Sequence, residues 1–496
     1  MIYKIRNSDL QEGTYIMEKS GIYQLQEDIV FHPNPEYDFQ PKPSQYLKYN
    51  PKLGYGLGFF AVFVIQGQNI KFDLNGFSIR CSKEFLLKQR FCAIIELAST
   101  PFIPNQGPAN FGPIIQSAKN CIIQNGCLGQ VSHHGIHGNG MENIKIKNLT
   151  IKEYEVAAIS LNGGINIIVE DCKILGVSTK VPCLSNYAHC KFDLPFLKKI
   201  VKENPHLLLE MQNETKTVQE IYDTTVEQVK IFEHAYMNNL PYNGAFYNET
   251  GLYDGNVYGM VFNSLGVVVN GFKHLRDENT IGNENIFIRN TTIENTVSDS
   301  TQVLGLFDTT KKNIGAYGKS AFVGPVGDMF NLMSSINSNG VFNNDFVCVM
   351  QLAIAKFGKK ENNTIGTSNI ESYLYDTWIK STTNIFSEIS MDPDDKTKRF
   401  YLVGGSDSMN HKMKGNIGLF ISQGSNVNIE NVNIHNVQNN GIQKNQQSSQ
   451  SIGLCITGSK DVYSKKLSIQ NINSINSTSN EIELVNENVN IDLDVI

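Results

Sequence analysis

Asn120-Cys-Ile-Ile-Gln-Asn-Gly-Cys-Leu128, Asn143-Ile-Lys-Ile-Lys-Asn-Leu-Thr-Ile151 and Asn166-Ile-Ile-Val-Glu-Asp-Cys-Lys-Ile174 are one phrase written three times. Their starts lie 143 − 120 = 23 and 166 − 143 = 23 residues apart. A short fixed period, in strand-forming residues closed by Asn and Gly, marks a stacked solenoid. Within a unit, Ile144, Ile146 and Ile151 alternate with Lys145, Lys147 and Thr150. Period two gives a strand with one face on a core and one in water. A helix would return its apolar residues at three and four, and these do not. A second short strand precedes each unit, at residues 135–142 before Asn143 and 158–165 before Asn166. One coil is therefore strand, Gly-containing turn, corner Asn, strand and return loop. So short a coil has no room for a helical crossover, so the stacked strands must be parallel, about 4.8 Å apart.

The corner Asn has a structural reason. Its amide can satisfy turn backbone groups, it tolerates left-handed geometry, and stacked amides can bond one another along the axis. This pattern, Asn-Ile-x-Ile-x-Asn-x-x-Ile behind Gly-rich corners, resembles the right-handed parallel β-helix (pectin-lyase-like) superfamily over about half of the chain. The resemblance implies an all-β solenoid, a right-handed parallel β-helix with two mainly helical insertions. For activity it implies little, since that superfamily holds lyases, hydrolases, phage tailspikes and non-catalytic adhesins.

The 496 residues carry a net charge of −6, without a basic run, which argues against nucleic acid as a partner. Residues 1–31 lack the basic-then-apolar pattern of a secretory signal, and no apolar stretch reaches the ~20 residues of a membrane span. The nine cysteines are scattered without a CxxC, and read as small buried hydrophobes in a reducing compartment rather than disulfides. Abundant Asn, Ile and Lys suggest an AT-rich genome, and with no signal peptide the reading leans to a large DNA virus, in the virion or host cytoplasm.

Segmentation follows the pattern. Residues 1–60 form an N-terminal strand, cap and Pro-rich loop; 61–180, 251–300 and 413–475 are β-helix coils; 476–496 is a capping strand. Within the first block, 84–112 read as a loop. Two insertions interrupt the coils, one helical at 181–250 and one mixed and helical at 301–412. Thr217-Val-Gln-Glu220 is a capping box that opens a helix in the first, after an earlier helix from Asp193. In the second, the apolar run Asp345–Phe357 predicts a buried helix and Asp392-Pro-Asp-Asp395 an acidic turn. Gly418–Asn426 repeats Ala61–Asn69 almost letter for letter, and Gly453–Asp461 takes the same step.

Chemistry concentrates at His133, His134 and His137, with Glu153 and Glu155 as the acids placed on the loop beside them. Three histidines within five residues can bind a metal or supply an acid and a base near neutral pH. No Asp or Cys cluster has the spacing to complete a metal site, so no metal or cofactor is assigned, and the preferred reading is exposed coil residues or corner partners. The period places His137 against Ser160, Asn139 against Asn162, and Glu170 against Lys147 as a surface ion pair. The motifs of polygalacturonase-like and pectate-lyase-like relatives are absent; the repeat strands offer Arg289 without an acidic cluster. Two functional expectations result. The first is a non-catalytic structural, adhesive or glycan-binding module that meets an extended polysaccharide or glycan surface, a homo-oligomer where it follows the fibres built on this scaffold. The second is a polysaccharide lyase or glycoside hydrolase that uses the histidines with Glu153 or Glu155.

Overall fold

The computed structural model describes residues 1–37, 39, 41–45, 59–88, 92–98, 116–176, 201–202, 208–211, 214–238, 240, 258–263, 265–268, 282–298, 400–403, 415–439, 450–474, 479–485 and 487–496. Two sheets run the length of the chain. The long sheet passes in order through Ile2–Ile5, Gly21–Leu25, Ile70–Asp73, Lys119–Val131, Glu142–Tyr154, Ile165–Glu170, Asn283–Ser298, Gly424–Asn439, Lys460–Ser474 and Val489–Val495. The short sheet passes through Tyr15–Met17, Ala61–Ile65, Ala93–Glu96, His134–Asn139, Ala157–Asn162, Tyr258–Asn263, Gly415–Ser422, Gln450–Thr457 and Ser479–Val485. Each neighbouring pair along both paths is parallel, and the chain alternates between the sheets as it climbs. This is a parallel β-solenoid.

The 23-residue register holds. Ile144 faces Cys121 on one side and Ile167 on the other, and the corner residues Asn120, Asn143 and Asn166 form a column. Asn143 Nδ2 donates to Asn120 Oδ1 at 2.8 Å, and Asn166 Nδ2 to Asn143 Oδ1 at 2.7 Å. Asn285 and Asn426 extend the same ladder. All five have φ between +52° and +56°, the left-handed region that Asn occupies at least cost among residues with a side chain. A second ladder runs five residues later, through Asn125, Asn148, Asp171, Asn290 and Asn431. A third corner, five residues on again, is less visible in sequence because its occupants vary: Gln130, Glu153, Asn295, Asn436 and Asn471. Each long strand is thus bent at left-handed residues, which lets the coil turn without a loop.

Isoleucines stack inside the coil, with Ile123, Ile146, Val169, Ile288 and Ile429 buried on successive rungs. The other face of the short sheet is buried as well, where Ala157, Tyr258, Val261, Ile417, Phe420, Ile452 and Cys455 form a separate apolar cluster. Six cysteines are described, all free thiols, five of them buried.

The residues 84–112, expected as a loop, contain regular structure: the helix Lys83–Lys88 and the strand Ala93–Glu96, a full rung of the short sheet. In the first insertion, Leu208–Met211 and Glu214–Thr217 form an antiparallel hairpin before the helix Val218–Met237. The capping box is present: Thr217 N donates to Glu220 Oε2 at 2.7 Å, and Glu220 N to Thr217 Oγ1 at 3.2 Å. The helix expected from Asp193, the helix expected at Asp345–Phe357 and the turn at Asp392 lie outside the described residues. At 476–496 the chain adds one strand to each sheet. Among the described residues no helix is long and apolar enough to cross a membrane.

Candidate functional site

The short sheet brings Glu96, His137 and Ser160 into one column on three successive rungs, with Val261 next. The strand Ala93–Glu96 ends at Glu96, where alternation turns the carboxylate away from the coil interior while Ile95 packs inward. His137 Nδ1 lies 2.7 Å from Glu96 Oε2, and His137 Nε2 lies 3.2 Å from Asn162 Nδ2. The direction of the Asn ladder settles the tautomer. Asn162 Nδ2 donates to Asn139 Oδ1 at 2.8 Å, as the corner asparagines do, so its amino group faces the imidazole. Nε2 therefore accepts, and Nδ1 carries the proton donated to Glu96.

The group is deeply buried: Glu96 is 0% exposed, His137 2% and Ser160 4%. Burial raises the Glu96 carboxyl above its ordinary value, against the charge and hydrogen bond of His137, which pull it down. His134 stacks on His137 with ring centroids 4.8 Å apart and planes 16° apart, and His133 meets His134 edge-on at 3.9 Å. Burial first, then the neighbouring His133 and His137, press the His134 proton affinity well below 6.5. Among the described residues the second Glu96 oxygen, Oε1, has no hydrogen-bond partner.

The structure gathers the three histidines, as the sequence suggests, yet the expectation that they are exposed coil residues is overturned: His134 and His137 are buried and His133 half-buried. The carboxylate bonded to His137 is Glu96. Glu153 stands exposed at a left-handed corner with φ +51°, in the slot of Asn295 and Asn436, and Glu155 is half-buried two residues on. Glu96 went unrecognised because its strand sits alone between a helix and residues 99–115. The signal was its rung: each coil owes the short sheet one strand, and the apolar run Ala93–Glu96, between the coil of Ile70–Cys81 and Asn120, supplies it.

The pH behaviour follows from His134. Its folded-state proton affinity is depressed, so the unfolded chain, which protonates near 6.5, takes up the proton more readily. The stability it protects is complete above that pH and is lost as pH falls below it. Glu96, shifted upward, contributes with the opposite sign, present below 4.5 and lost as pH rises through its raised value. We expect His134→Gln to flatten the loss of unfolding free energy between about pH 7.5 and pH 5.5, measured by urea titration. An unchanged slope excludes His134 as its source.

A second feature lies on the outward face of the long sheet. Asp73, Gln124, Lys147, Glu170, Arg289, Glu430 and Lys465 occupy one column, with opposite charges on successive rungs from Lys147 onward. Lys147 and Glu170 are register partners as expected, but the carboxylate pairs with Lys145 and Arg289 instead. Arg289 Nε donates to Glu170 Oε2 at 2.8 Å. Burial alone would raise the Glu170 carboxyl; hydrogen bonds and charge from Lys145 and Arg289 hold it below the ordinary range. Beside it runs a column of Ile122, Lys145, Ile168, Phe287, Asn428 and Tyr463. Phe287 is 39% exposed and Tyr463 42%, two rungs and so about 10 Å apart.

No protein-family model matches this chain, and no curated protein matches it. Two solved structures of PfbA, a surface adhesin of Streptococcus pneumoniae, align over 100% of the chain at 9% identity. They cover 90% and 84% of those adhesin chains, with TM-scores of 0.27 and 0.24. Likeness at that level carries no functional argument, and a viral origin finds no support in it.

Proposed function

We propose that this chain is a right-handed parallel β-helix acting as an adhesive or structural module, which holds an extended glycan along the outward face of its long sheet. The observation that carries this reading is the exposed pair Phe287 and Tyr463 in one column on the outward face of the long sheet. The C–H faces of sugar rings pack on aromatic rings, and about 10 Å spans roughly two sugar units of an extended chain. Asn428 stands on the rung between the two rings, with Glu430 two residues along the same strand, supplying donors and acceptors for hydroxyl groups. Arg289, the base that a pectate-lyase-like mechanism would use, is engaged by Glu170, which weakens that one form of the lyase reading.

Affinity electrophoresis through gels containing xylan, soluble cellulose derivatives, pectin or hyaluronan tests the proposal. Retardation by at least one polymer is expected. The double substitution Phe287→Ala with Tyr463→Ala should weaken it about tenfold, from two lost stacking contacts of roughly 0.7 kcal/mol each. Equal retardation of the double variant, or none for the parent chain, sinks the reading.

A further inference from the structure

Charge on the outward face of the long sheet follows the rungs. Over five consecutive rungs one column reads Lys147, Glu170, Arg289, Glu430 and Lys465, so a cation recurs at every second rung. At about 4.8 Å per rung, successive cations stand about 10 Å apart. The column beside it reads Lys145, Ile168, Phe287, Asn428 and Tyr463, so the two exposed rings share their rungs with Arg289 and Lys465. The rung between the rings carries Asn428 and Glu430.

Much of this positive charge is not neutralised within the sheet. Among the described residues neither Lys147 nor Lys465 has an ion-pair partner. Glu170 sets one carboxylate against two cations, Lys145 and Arg289. Arg289 donates to it through Nε and Nη2, which leaves Nη1 for a ligand. At the middle rung acceptors predominate. Glu430 is exposed, and Asn428 donates to the corner Asn426 at 3.3 Å, which leaves its carbonyl oxygen to accept.

We infer that the glycan held on this face is a polymer in which a uronic acid alternates with an uncharged, donor-rich sugar, an inference that rests on the glycan-binding reading above. An extended glycan advances roughly 5 Å per sugar, close to one rung, so sugars and rungs keep step over several units. Uronic acids on the Phe287 and Tyr463 rungs lay a ring face on the aromatic and set their carboxylates against Arg289 Nη1 and Lys465 Nζ. The sugar between them gives hydroxyl or amide hydrogens to Asn428 and Glu430. A homopolymer of uronic acids fails this match, because its intervening carboxylate meets Glu430 and, further toward the amino terminus, Glu170. A neutral polymer forgoes the charge-assisted bonds. The face selects by the spacing of charge.

Affinity electrophoresis of the full chain tests this with hyaluronan, which alternates a uronic acid with an N-acetylated amino sugar, against polygalacturonate and neutral xylan. Hyaluronan is expected to bind about tenfold more tightly than either at about 20 mM salt, a gap that narrows at about 500 mM. Lys465→Gln should weaken hyaluronan binding about threefold and leave xylan unchanged. Glu430→Gln, which keeps the shape and removes the charge, should strengthen polygalacturonate binding about threefold. Both side chains are exposed, so both variants are expected to fold. Polygalacturonate held by the parent chain as tightly as hyaluronan overturns the inference. So does a Glu430→Gln variant in which the ratio of the two polymers is unaltered. Either result leaves the glycan reading standing where Phe287→Ala with Tyr463→Ala still weakens retardation. Absence of retardation by hyaluronan overturns the inference even if xylan is held.

Discussion

Replacing Glu96 by Ala is expected to lower the unfolding free energy by about 3 kcal/mol, the cost of leaving a buried partner without its mate. The His137 Nδ1 proton has Glu96 Oε2 as its acceptor at 2.7 Å, and both side chains are almost wholly withdrawn from water. Removing the carboxylate strands that proton in a site closed to solvent. Glu96→Gln keeps an acceptor oxygen and should cost about 1 kcal/mol, within the range of a neutral hydrogen bond replacing a charge-assisted one. Urea titrations of the three chains at one pH supply the comparison. If both substitutions fall within experimental error of the parent, the pair does not tie the rungs together.

The second large effect is expected at Gly418. A Cβ there would lie 2.5 Å from Ile434 Cγ2 and 2.7 Å from the carbonyl oxygen of Gly453 on the next rung. Ile434 is core and the carbonyl belongs to a ladder, so neither neighbour has room to move. Gly418→Val should therefore cost about 4 kcal/mol or prevent folding, beyond ordinary overpacking because backbone as well as side chain must shift. The equivalent rung at Ala158 already accommodates a methyl group, so Gly418→Ala should cost clearly less. Thermal unfolding of the two variants ranks them; equal midpoints would show that the rung relaxes freely.

The solenoid was legible because its cause is local and repeated. Alternating Ile residues and a corner Asn every 23 residues encode the strand, its face and its register together. The third left-handed corner was hidden because Gln130, Glu153 and Asn295 share a backbone conformation rather than a residue type. Likewise His137 and Ser160 could be paired by counting within the repeat, whereas Glu96 could not. It reaches His137 across 41 residues, past an excursion whose length no period predicts. Burial of the histidines was unreadable for a related reason. Alternation places them on the outward face of their sheet, and only the fold reveals that this face, too, carries an apolar cluster.

The corner ladders share one direction. Each amide nitrogen points toward the amino-terminal coils and each amide oxygen toward the carboxy-terminal ones, from Asn120 through Asn426. Side-chain dipoles aligned head to tail add, as peptide dipoles do in a helix, so the column gives the molecule an electrical axis with a positive pole at its amino-terminal end. The second ladder lacks such continuity: Asp171 accepts from Asn290 but has no hydrogen to pass on to Asn148, so its dipoles are interrupted there.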